Sequence, residues 1–95
     1  MRVEWLSIAL ADLNAESEYI SRDNPSPAER IVDEIFAATD RLAAFPAMGR
    51  PGRVPGTREL VVSSTPYIVP YRVRGQVVEI IRVLHGARKW PEELP

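Results

Sequence analysis

The stretch SPAERIVDEIFAATDRLAAFP, residues 26–46, decides the fold. Its apolar side chains recur at spacings of three and four, which is the repeat of an amphipathic helix. They are Ala28, Ile31, Ile35, Ala38, Leu42 and Phe45. Ser26-Pro27-Ala28-Glu29 is typical of a capping box with proline at the first helical position, and Pro46 ends the pattern. We therefore predict a helix that buries one face and exposes a charged one.

A strand and another helix are predicted before this stretch. Residues 2–6 alternate apolar and charged side chains, as a half-buried strand does. Ser7 is expected to cap a helix from Ile8 to Arg22, which must end near Asp23-Asn24-Pro25 because proline disfavours helical geometry in the residue before it. The short link predicts an antiparallel helical hairpin. The apolar stripe of this helix is weak, since Glu16 interrupts the series Ala9, Leu13 and Ile20.

The second half of the chain is predicted to form strands. Residues 46–57 hold three prolines and three glycines, so they form a turn-rich connector that is either functional or a plain crossover. Strands are expected at Arg58–Ser63, Tyr67–Val73 and Val77–His85, and the last two form a hairpin through Arg74-Gly75-Gln76. Pro70 should mark a bulge or an unpaired stretch, because proline cannot donate to the ladder.

The expected architecture is a single α+β domain over residues 1–95, in the order β-α-α-β-β-β. The helical hairpin must pack on one face of a small twisted antiparallel sheet, since nothing else can cover its apolar stripes. The first strand should lie beside one of the later strands, at an edge or in the middle. The other sheet face is expected to be open or partly covered.

Composition excludes several classes of protein. The 95 residues are 45% apolar and 26% charged, as in ordinary globular domains. Cysteine is absent and His85 is the one histidine, so we expect no disulfide, no metal site and no cofactor. Neither a secretory leader nor a run of about 20 apolar residues is found, which favours the cytoplasm.

Charge is distributed unevenly along the chain. The net charge is −1, yet residues 1–48 carry −5 and residues 49–95 carry +4. Residues 49–91 alone carry +6. Such a basic half predicts a face that seeks polyanions or acidic proteins.

Arg82 is the most unusual of the basic residues, because it lies midway along the most apolar predicted strand. On that strand it would share a face with Val78, Ile80 and Leu84. Three roles are open: an ion pair with a carboxylate such as Glu59, a place on an open sheet face, or a forked contact with phosphate. An ion pair or a solvated position is the favoured interpretation.

His85 and four aromatic residues are the other candidates. His85 ends the last strand, where a general acid or base could lie, although a hydrogen bond to the backbone or to a partner is the favoured role. Tyr67 and Tyr71 share a face and either stack on bases or pack in the sheet, with packing favoured. Trp5 is expected in the core, and Trp90 is expected to anchor the tail.

Several motifs together resemble the RelE/ParE toxin family, and its ParE branch in particular. The most specific are Phe45-Pro46-x-Met48-Gly49-Arg50 and Arg82-Val83-Leu84-His85-Gly86-Ala87-Arg88. The resemblance also includes Val3-Glu4-Trp5, Ala9-Leu10-x-Asp12-Leu13, Tyr19-Ile20, Asn24-Pro25, Arg58-Glu59-Leu60 and Tyr67-Ile68-Val69-x-Tyr71-Arg72-Val73. Two positions depart from the family pattern, Glu16 and Pro70.

The resemblance implies the toxin of a type II toxin–antitoxin module, with a role in plasmid stabilisation and growth arrest. Its partner would be a ParD-like antitoxin, through which DNA is mainly contacted, and no membrane is involved. ParE-like members poison DNA gyrase, and RelE-like members cut mRNA on the ribosome without metal. An inactive module that only binds antitoxin is a third possibility.

Site residues follow from these alternatives as expectations. A ribonuclease would use Arg58, Arg72, Arg82 and His85, whereas a gyrase poison would not be an enzyme. The residues expected to bind the target are Arg72, Arg82, His85, Arg88 and Trp90. Those expected to bind the antitoxin are Leu13, Ile20, Ile35, Arg58, Val61 and Tyr67.

Overall fold

The helices and strands of the structure lie close to the positions that the helical and alternating patterns of the sequence predict. The computed structural model describes residues 1–22 and 25–95. Strand β1 (Arg2–Trp5) is followed by helix α1 (Ser7–Ser21), helix α2 (Pro25–Asp40) and a 3₁₀ turn (Arg41–Ala43). The later strands are β2 (Arg50–Pro51), β3 (Arg58–Val61), β4 (Tyr67–Arg74), β5 (Val77–Ile80) and β6 (Leu84–His85).

The strands form one sheet in the order β1-β5-β4-β3-β2, and β6 pairs with β4. Strand β1 lies at an edge and runs parallel to β5, with Arg2 opposite Val77. The other described pairs are antiparallel. The predicted α+β class and order are confirmed, and the parallel edge makes the sheet mixed rather than wholly antiparallel.

Helix α2 supplies much of the core, as its periodicity predicts. Ile35 and Leu42 expose none of their surface, and they belong to a cluster that includes Val69, Tyr71 and Ile80 of the sheet. Burying an aliphatic side chain of this size stabilises a fold by about 1.5–3 kcal/mol. The apolar stripe of α2 therefore fixes the hairpin on the sheet. Trp5 packs partly buried against the same core and contacts the ring of Phe36.

Both predicted helix caps are wrong. Ser7 is the first residue of α1, and the cap position is held by Leu6, whose side chain makes no capping hydrogen bond. Helix α2 begins at Pro25, so Ser26 lies inside it rather than before it. Proline does occupy the first turn, where its missing N–H costs nothing. The predicted link residues Asp23 and Asn24 lie outside the described residues.

The end of the second helix also differs from the prediction. Regular α-helix stops at Asp40 and continues as the 3₁₀ turn that carries Leu42. This tighter winding removes Phe45 from the apolar stripe, and its side chain is 64% exposed instead of buried.

The last predicted strand is two strands with a bulge between them. Tyr71 pairs with Ile80 and Ile68 pairs with Leu84, so two residues of β4 face three residues of the opposite strand. Pro70 lies opposite this bulge, where its carbonyl accepts from the N–H of Ile81 at 2.9 Å. The predicted effect of Pro70 is confirmed, with the extra residue on the neighbouring strand.

The bulge changes which side chains face the helices. Val78, Ile80 and Val83 all belong to the core. Strict alternation would place Val83 on the face opposite Val78 and Ile80, so the extra residue shifts the alternation between Ile80 and Val83. Neither of the two described helices is long and apolar enough to cross a membrane.

Candidate functional site

Arg82 forms a forked ion pair with Asp12 of helix α1. Its Nε lies 2.6 Å from Oδ2 and its Nη2 lies 3.0 Å from Oδ1, while the N–H of Val83 also donates to Oδ2 at 3.0 Å. The hydrogen bond to Asp12 raises the pKa of the Arg82 guanidinium. The favoured ion pair is confirmed, but its partner is Asp12 and not Glu59. The pair joins the strand bulge to α1.

Glu59 pairs instead with the connector. Its side chain is 4% exposed, and it accepts from Nε and Nη2 of Arg50 at 3.2 and 3.1 Å. It also accepts from the backbone N–H of Arg53 at 2.9 Å. A carboxylate enclosed to this extent needs such partners, since an unpaired buried charge is costly. Glu59 thus fixes the end of the connector to β3.

Arg58 and Arg72 lie on opposite faces of the sheet. Arg58 pairs with Tyr71 in the β3–β4 register, so Arg72, the next residue along, points the other way. Arg58 donates to the Gly49 carbonyl at 2.8 Å. Arg72 donates through Nε to Glu79 at 2.8 Å, and this hydrogen bond lowers the pKa of the Glu79 carboxyl.

The four residues expected of a ribonuclease therefore do not share one site. Arg82 is held by Asp12 at the bulge, Arg72 by Glu79 on the face opposite the helices, and Arg58 by connector carbonyls. His85 accepts the N–H of Ala87 at its Nδ1, at 3.1 Å. Within the described ranges no group of three or more His, Asp or Glu side chains could hold a metal ion.

A small polar network ties the end of β6 to α1. Glu16 accepts from the Tyr67 hydroxyl at 2.9 Å and also pairs with Arg88, whose guanidinium lies 5.4 Å from the Tyr19 ring centre. His85 meets Tyr67 edge to face at 5.6 Å. We call Glu16, Tyr19, Tyr67, His85 and Arg88 the α1–β6 cluster. Burial, together with the hydrogen bond to Glu16, raises the pKa of Tyr67 to about 12.

The C-terminal residues cover part of the sheet face opposite the helices. The Trp90 indole donates to the His85 carbonyl at 3.2 Å, and Arg53 stacks 3.7 Å above its ring. Arg72 donates to the Pro95 carbonyl at 2.6 Å. A cavity of about 300 Å³ lies between this segment, Arg53 and Glu59. Trp90 anchors the tail, as predicted, and the face is partly covered.

An open groove lies at the edge of the sheet formed by β2 and β3, across the sheet from β1. Strand β2 pairs only with Arg58 and Glu59, which leaves the rest of β3 uncovered. A groove of about 310 Å³ lies here, and we call it the β3 groove. Its lining is Arg41, Met48, Gly49, Arg50, Glu59, Leu60, Val61 and Ser63.

Next to the β3 groove lies an apolar hollow of about 440 Å³, formed by residues 45–48. Phe45, Met48 and Val61 expose 64%, 44% and 51% of their surface. Exposed apolar side chains gathered in this way mark interaction surfaces. Phe45, Met48 and Arg41 line these surfaces and were not among the residues predicted from the sequence to bind a partner. The run of prolines and glycines beside them was the available signal, since functional loops share that composition.

The residues expected to bind an antitoxin divide into two sets. Leu13, Ile35 and Tyr67 expose 4%, 0% and 2% of their surface, so that role does not fit them and they pack in the core instead. Tyr71 is likewise fully buried, which confirms packing rather than base stacking for both tyrosines. Val61 is exposed, and Ile20 and Arg58 are half-buried.

Known proteins resemble the chain over nearly its whole length. Residues 3–90 match the family described as "ParE toxin of type II toxin-antitoxin system, parDE". The protein Y4kP of Sinorhizobium fredii, a candidate toxin by its description, is 46% identical over 98% of this chain and 96% of its own. Toxin RelE2 of Caulobacter vibrioides is 40% identical over 92% of this chain and 97% of its own.

A solved structure has the same fold. It is described as "Chromosomal ParDE TA system from P. aeruginosa", and its matching chain superposes with a TM-score of 0.80 at 33% identity. The match covers 90% of the present chain and 95% of the other.

Proposed function

The chain belongs to the ParE family of type II toxins, and from this premise we propose that it poisons DNA gyrase and is neutralised by a ParD-like antitoxin. The solved relative is titled as a ParDE system, which supports an antitoxin of the ParD kind. A gyrase target would place the protein in the cytoplasm.

The separation of the cationic side chains is the observation that carries the proposal. Phosphodiester cleavage without metal needs a base, an acid and cations that converge on one phosphate. Arg58, Arg72 and Arg82 are each held by a different intramolecular partner, and the first two lie on opposite sheet faces. Such an arrangement favours a protein that acts by binding.

The surface proposed for the target is formed by the α1–β6 cluster and the tail. Arg88 has a side chain 48% exposed, and His85 and Trp90 are half-buried beside it. Arg72 and Arg82 are proposed to position this surface rather than to contact the target directly. Arg72 binds the end of the tail, and Arg82 binds α1 at the bulge that precedes His85. An exposed guanidinium next to aromatic rings suits contact with a protein that handles nucleic acid.

Purified protein tests this proposal with gyrase and supercoiled plasmid. The expected result is accumulation of cleaved DNA, and Arg88→Glu should lower it by about tenfold, as loss of a central charged contact does. Arg30→Glu is the matched control, because Arg30 is an exposed arginine of α2 outside the proposed surface. Unchanged supercoiling at saturating protein would refute gyrase as the target.

Cleavage of mRNA on the ribosome is the second candidate. One observation favours it: the Nε2 atom of His85 makes no hydrogen bond among the described residues, and Arg88 follows three positions later. Primer extension on translated mRNA would then show cuts at codon spacing that His85→Ala abolishes. If no cuts appear in the mRNA and cleaved DNA accumulates with gyrase, cleavage of mRNA is refuted and poisoning of gyrase is supported.

Expression in a host without the partner separates both activities from an inactive binding module. Growth should stop when the chain is expressed alone and resume when a ParD-like antitoxin that binds it is expressed with it. Normal growth in the first case would mean that the chain only occupies antitoxin.

A further inference from the structure

We infer that the outer edge of β1 pairs with the same edge of a second copy of this chain, which gives a two-fold dimer with one continuous sheet. The inference goes beyond the proposed function and does not rest on it. Strand β1 ends the sheet, and within residues 1–22 and 25–95 only β5 pairs with it. An unpaired strand edge is a template on which another strand can form backbone hydrogen bonds.

The pairing with β5 determines which backbone groups of β1 point outward. Arg2 donates its N–H to the carbonyl that precedes β5, at 3.1 Å, and Leu6 donates to the Ile80 carbonyl at 3.0 Å. The N–H and the carbonyl of one strand residue point to the same side, and successive residues alternate. Val3 and Trp5 therefore direct their backbone groups away from β5, towards the open edge.

Three registers pair outward-directed residues of two antiparallel copies, and charge distinguishes them. Val3 opposite Val3 places Arg2 of each copy opposite Glu4 of the other, so the two-fold axis forms the same ion pair twice. Val3 opposite Trp5 places Glu4 opposite Glu4, and like charges directly opposite each other destabilise a strand pair. Trp5 opposite Trp5 places Arg2 beyond the end of the other strand. The charges therefore select the register centred on Val3.

Arg2 and Glu4 are free to change partner. Their side chains are 69% and 51% exposed, and their charged groups lie 2.9 Å apart within one copy. They lie on the sheet face opposite the helices, since Val3 and Trp5 pack partly buried against the core. A pair this exposed contributes little to stability, so an exchange of partners across the edge costs little. Charges often prevent an edge from pairing, but an alternation of both signs is complementary to itself.

Phe36 provides an apolar contact beside the same edge. Its side chain is 37% exposed and its ring centre lies 5.1 Å from that of Trp5, so α2 passes next to β1. Neighbouring strands lie about 4.8 Å apart and packed helices about 8–10 Å apart. In the dimer the two α2 helices come within packing distance, and Phe36 of each copy is covered. An exposed aromatic ring next to an open strand edge is typical of a surface that another protein covers.

The dimer is expected to be weak and reversible. One short strand pair and one aromatic contact bury less surface than the roughly 1,600 Å² of a standard interface, which predicts a micromolar dissociation constant. A net charge of −1 on each copy adds almost no repulsion between them. The β3 groove lies across the sheet from β1 and stays uncovered.

Exchange of the two charges tests the register. Arg2→Glu or Glu4→Arg alone places like charges opposite each other twice and should weaken dimerisation at least tenfold. The double variant with both changes restores opposite signs, so it should dimerise within threefold of the unaltered chain. Sedimentation equilibrium over a hundredfold range of concentration measures the dissociation constants, and circular dichroism checks that each variant is folded. Glu93→Arg, at an exposed position of the tail, is the matched control and should change dimerisation less than threefold.

Hydrogen exchange of the unaltered chain gives a second measurement that needs no variant. The Val3 and Trp5 amides should exchange at least tenfold more slowly at concentrations where the dimer forms than at those where the monomer prevails. The Arg2 amide is the internal control: it already donates within the sheet, so its exchange should change less than threefold.

A chain that stays monomeric at the highest concentration would overturn the inference. A dimer that tolerates the single charge reversals, or that the double variant fails to restore, would also overturn it, because either result places the interface elsewhere. Protection of the Val3 amide only after a ParD-like antitoxin is added would identify the antitoxin as the occupant of this edge, with the same consequence. Cleavage of DNA by gyrase is measured separately and can persist in all these cases, so failure here is distinct from failure of the proposed function.

Discussion

The two faces of the sheet are built by different interactions. The face under the helices carries Val69, Tyr71, Val78 and Ile80, none of which exposes any surface. The other face carries charged residues joined in pairs, among them Arg72 with Glu79 and Arg50 with Glu59, and the tail crosses it.

This difference indicates that the face under the helices determines the stability of the domain, whereas the charged face tolerates substitution more easily. Apolar burial on the helix face is not screened by salt, and it stabilises the domain in proportion to the area removed from water. Ion pairs at a partly solvated face contribute less and are screened by salt. Substitutions on the first face should therefore alter stability, and most of those on the second should alter partners.

The largest expected effect comes from the helix face. Ile35→Ala should lower the free energy of unfolding by about 3 kcal/mol, because a fully buried isoleucine leaves a cavity. Urea denaturation followed by circular dichroism measures it. Ile8→Ala is the control: Ile8 is 40% exposed, so the change should stay under about 0.5 kcal/mol. Similar values for both would break the contrast between core and surface.

Glu59→Gln tests the enclosed carboxylate that the charged face carries within residues 1–22 and 25–95. Glu59 is 4% exposed and accepts from Arg50 and from the Arg53 backbone, so a neutral amide should cost about 1–3 kcal/mol of stability. Glu29→Gln, at an exposed position of α2, should cost almost nothing. If the two variants unfold at the same urea concentration, this face contributes nothing to stability even where it is enclosed.

Tyr67 gives the helix face a dependence on alkaline pH. Its pKa is raised from 10.0 to about 12, so between these values the folded chain retains a proton that the unfolded chain loses. Stability contributed by this group is complete below pH 10 and falls as the pH rises towards 12. Denaturation midpoints across that window should show the fall. Tyr67→Phe should reduce the fall and leave the part due to Tyr71, whose pKa is also raised by burial, and Tyr19→Phe, at an exposed ring, should leave the fall unchanged.

Arg74→Gln should have the smallest effect. The side chain of Arg74 is 68% exposed and lies 3.4 Å from Glu79, which keeps its closer contact with Arg72. Loss of so exposed a pair should change the free energy of unfolding by less than about 0.5 kcal/mol. Arg72→Gln provides the comparison, since Arg72 is 24% exposed and also holds the tail. If Arg74→Gln lowered the free energy of unfolding more than Arg72→Gln, the expected order of the two ion pairs on this face would be wrong.

Local patterns predicted the elements of the fold more reliably than their ends. The apolar spacing of residues 28–45 placed Ile35 of α2 and Leu42 of the 3₁₀ turn in the core, because helical spacing is a property of the sequence itself. Phe45 continues the same spacing and yet is exposed, since the change to a 3₁₀ turn after Asp40 depends on packing. Pro70 signalled an interruption of the ladder but could not show which strand holds the extra residue.

Long-range pairing is where prediction from the sequence stops. Arg82 was expected to form an ion pair, and it does, but Asp12 lies 70 residues away and nothing in the spacing identifies it. The groove depended on the length of β2, a two-residue strand too short to give a periodic signal. Residues such as Leu13 and Tyr67 were candidates for partner contact because an apolar residue looks alike whether it faces the core or a partner.

The parallel pairing of β1 with β5 has a consequence for how the chain is made. It joins Arg2 to Val77, so β1 stays without this partner until β5 has been synthesised. Closing so long a loop costs entropy before any contact repays it, and folding slows as contacts become more distant in sequence. The parallel edge of the sheet can therefore form only after Val77–Ile80 have been synthesised, and a nascent chain shorter than this lacks that edge.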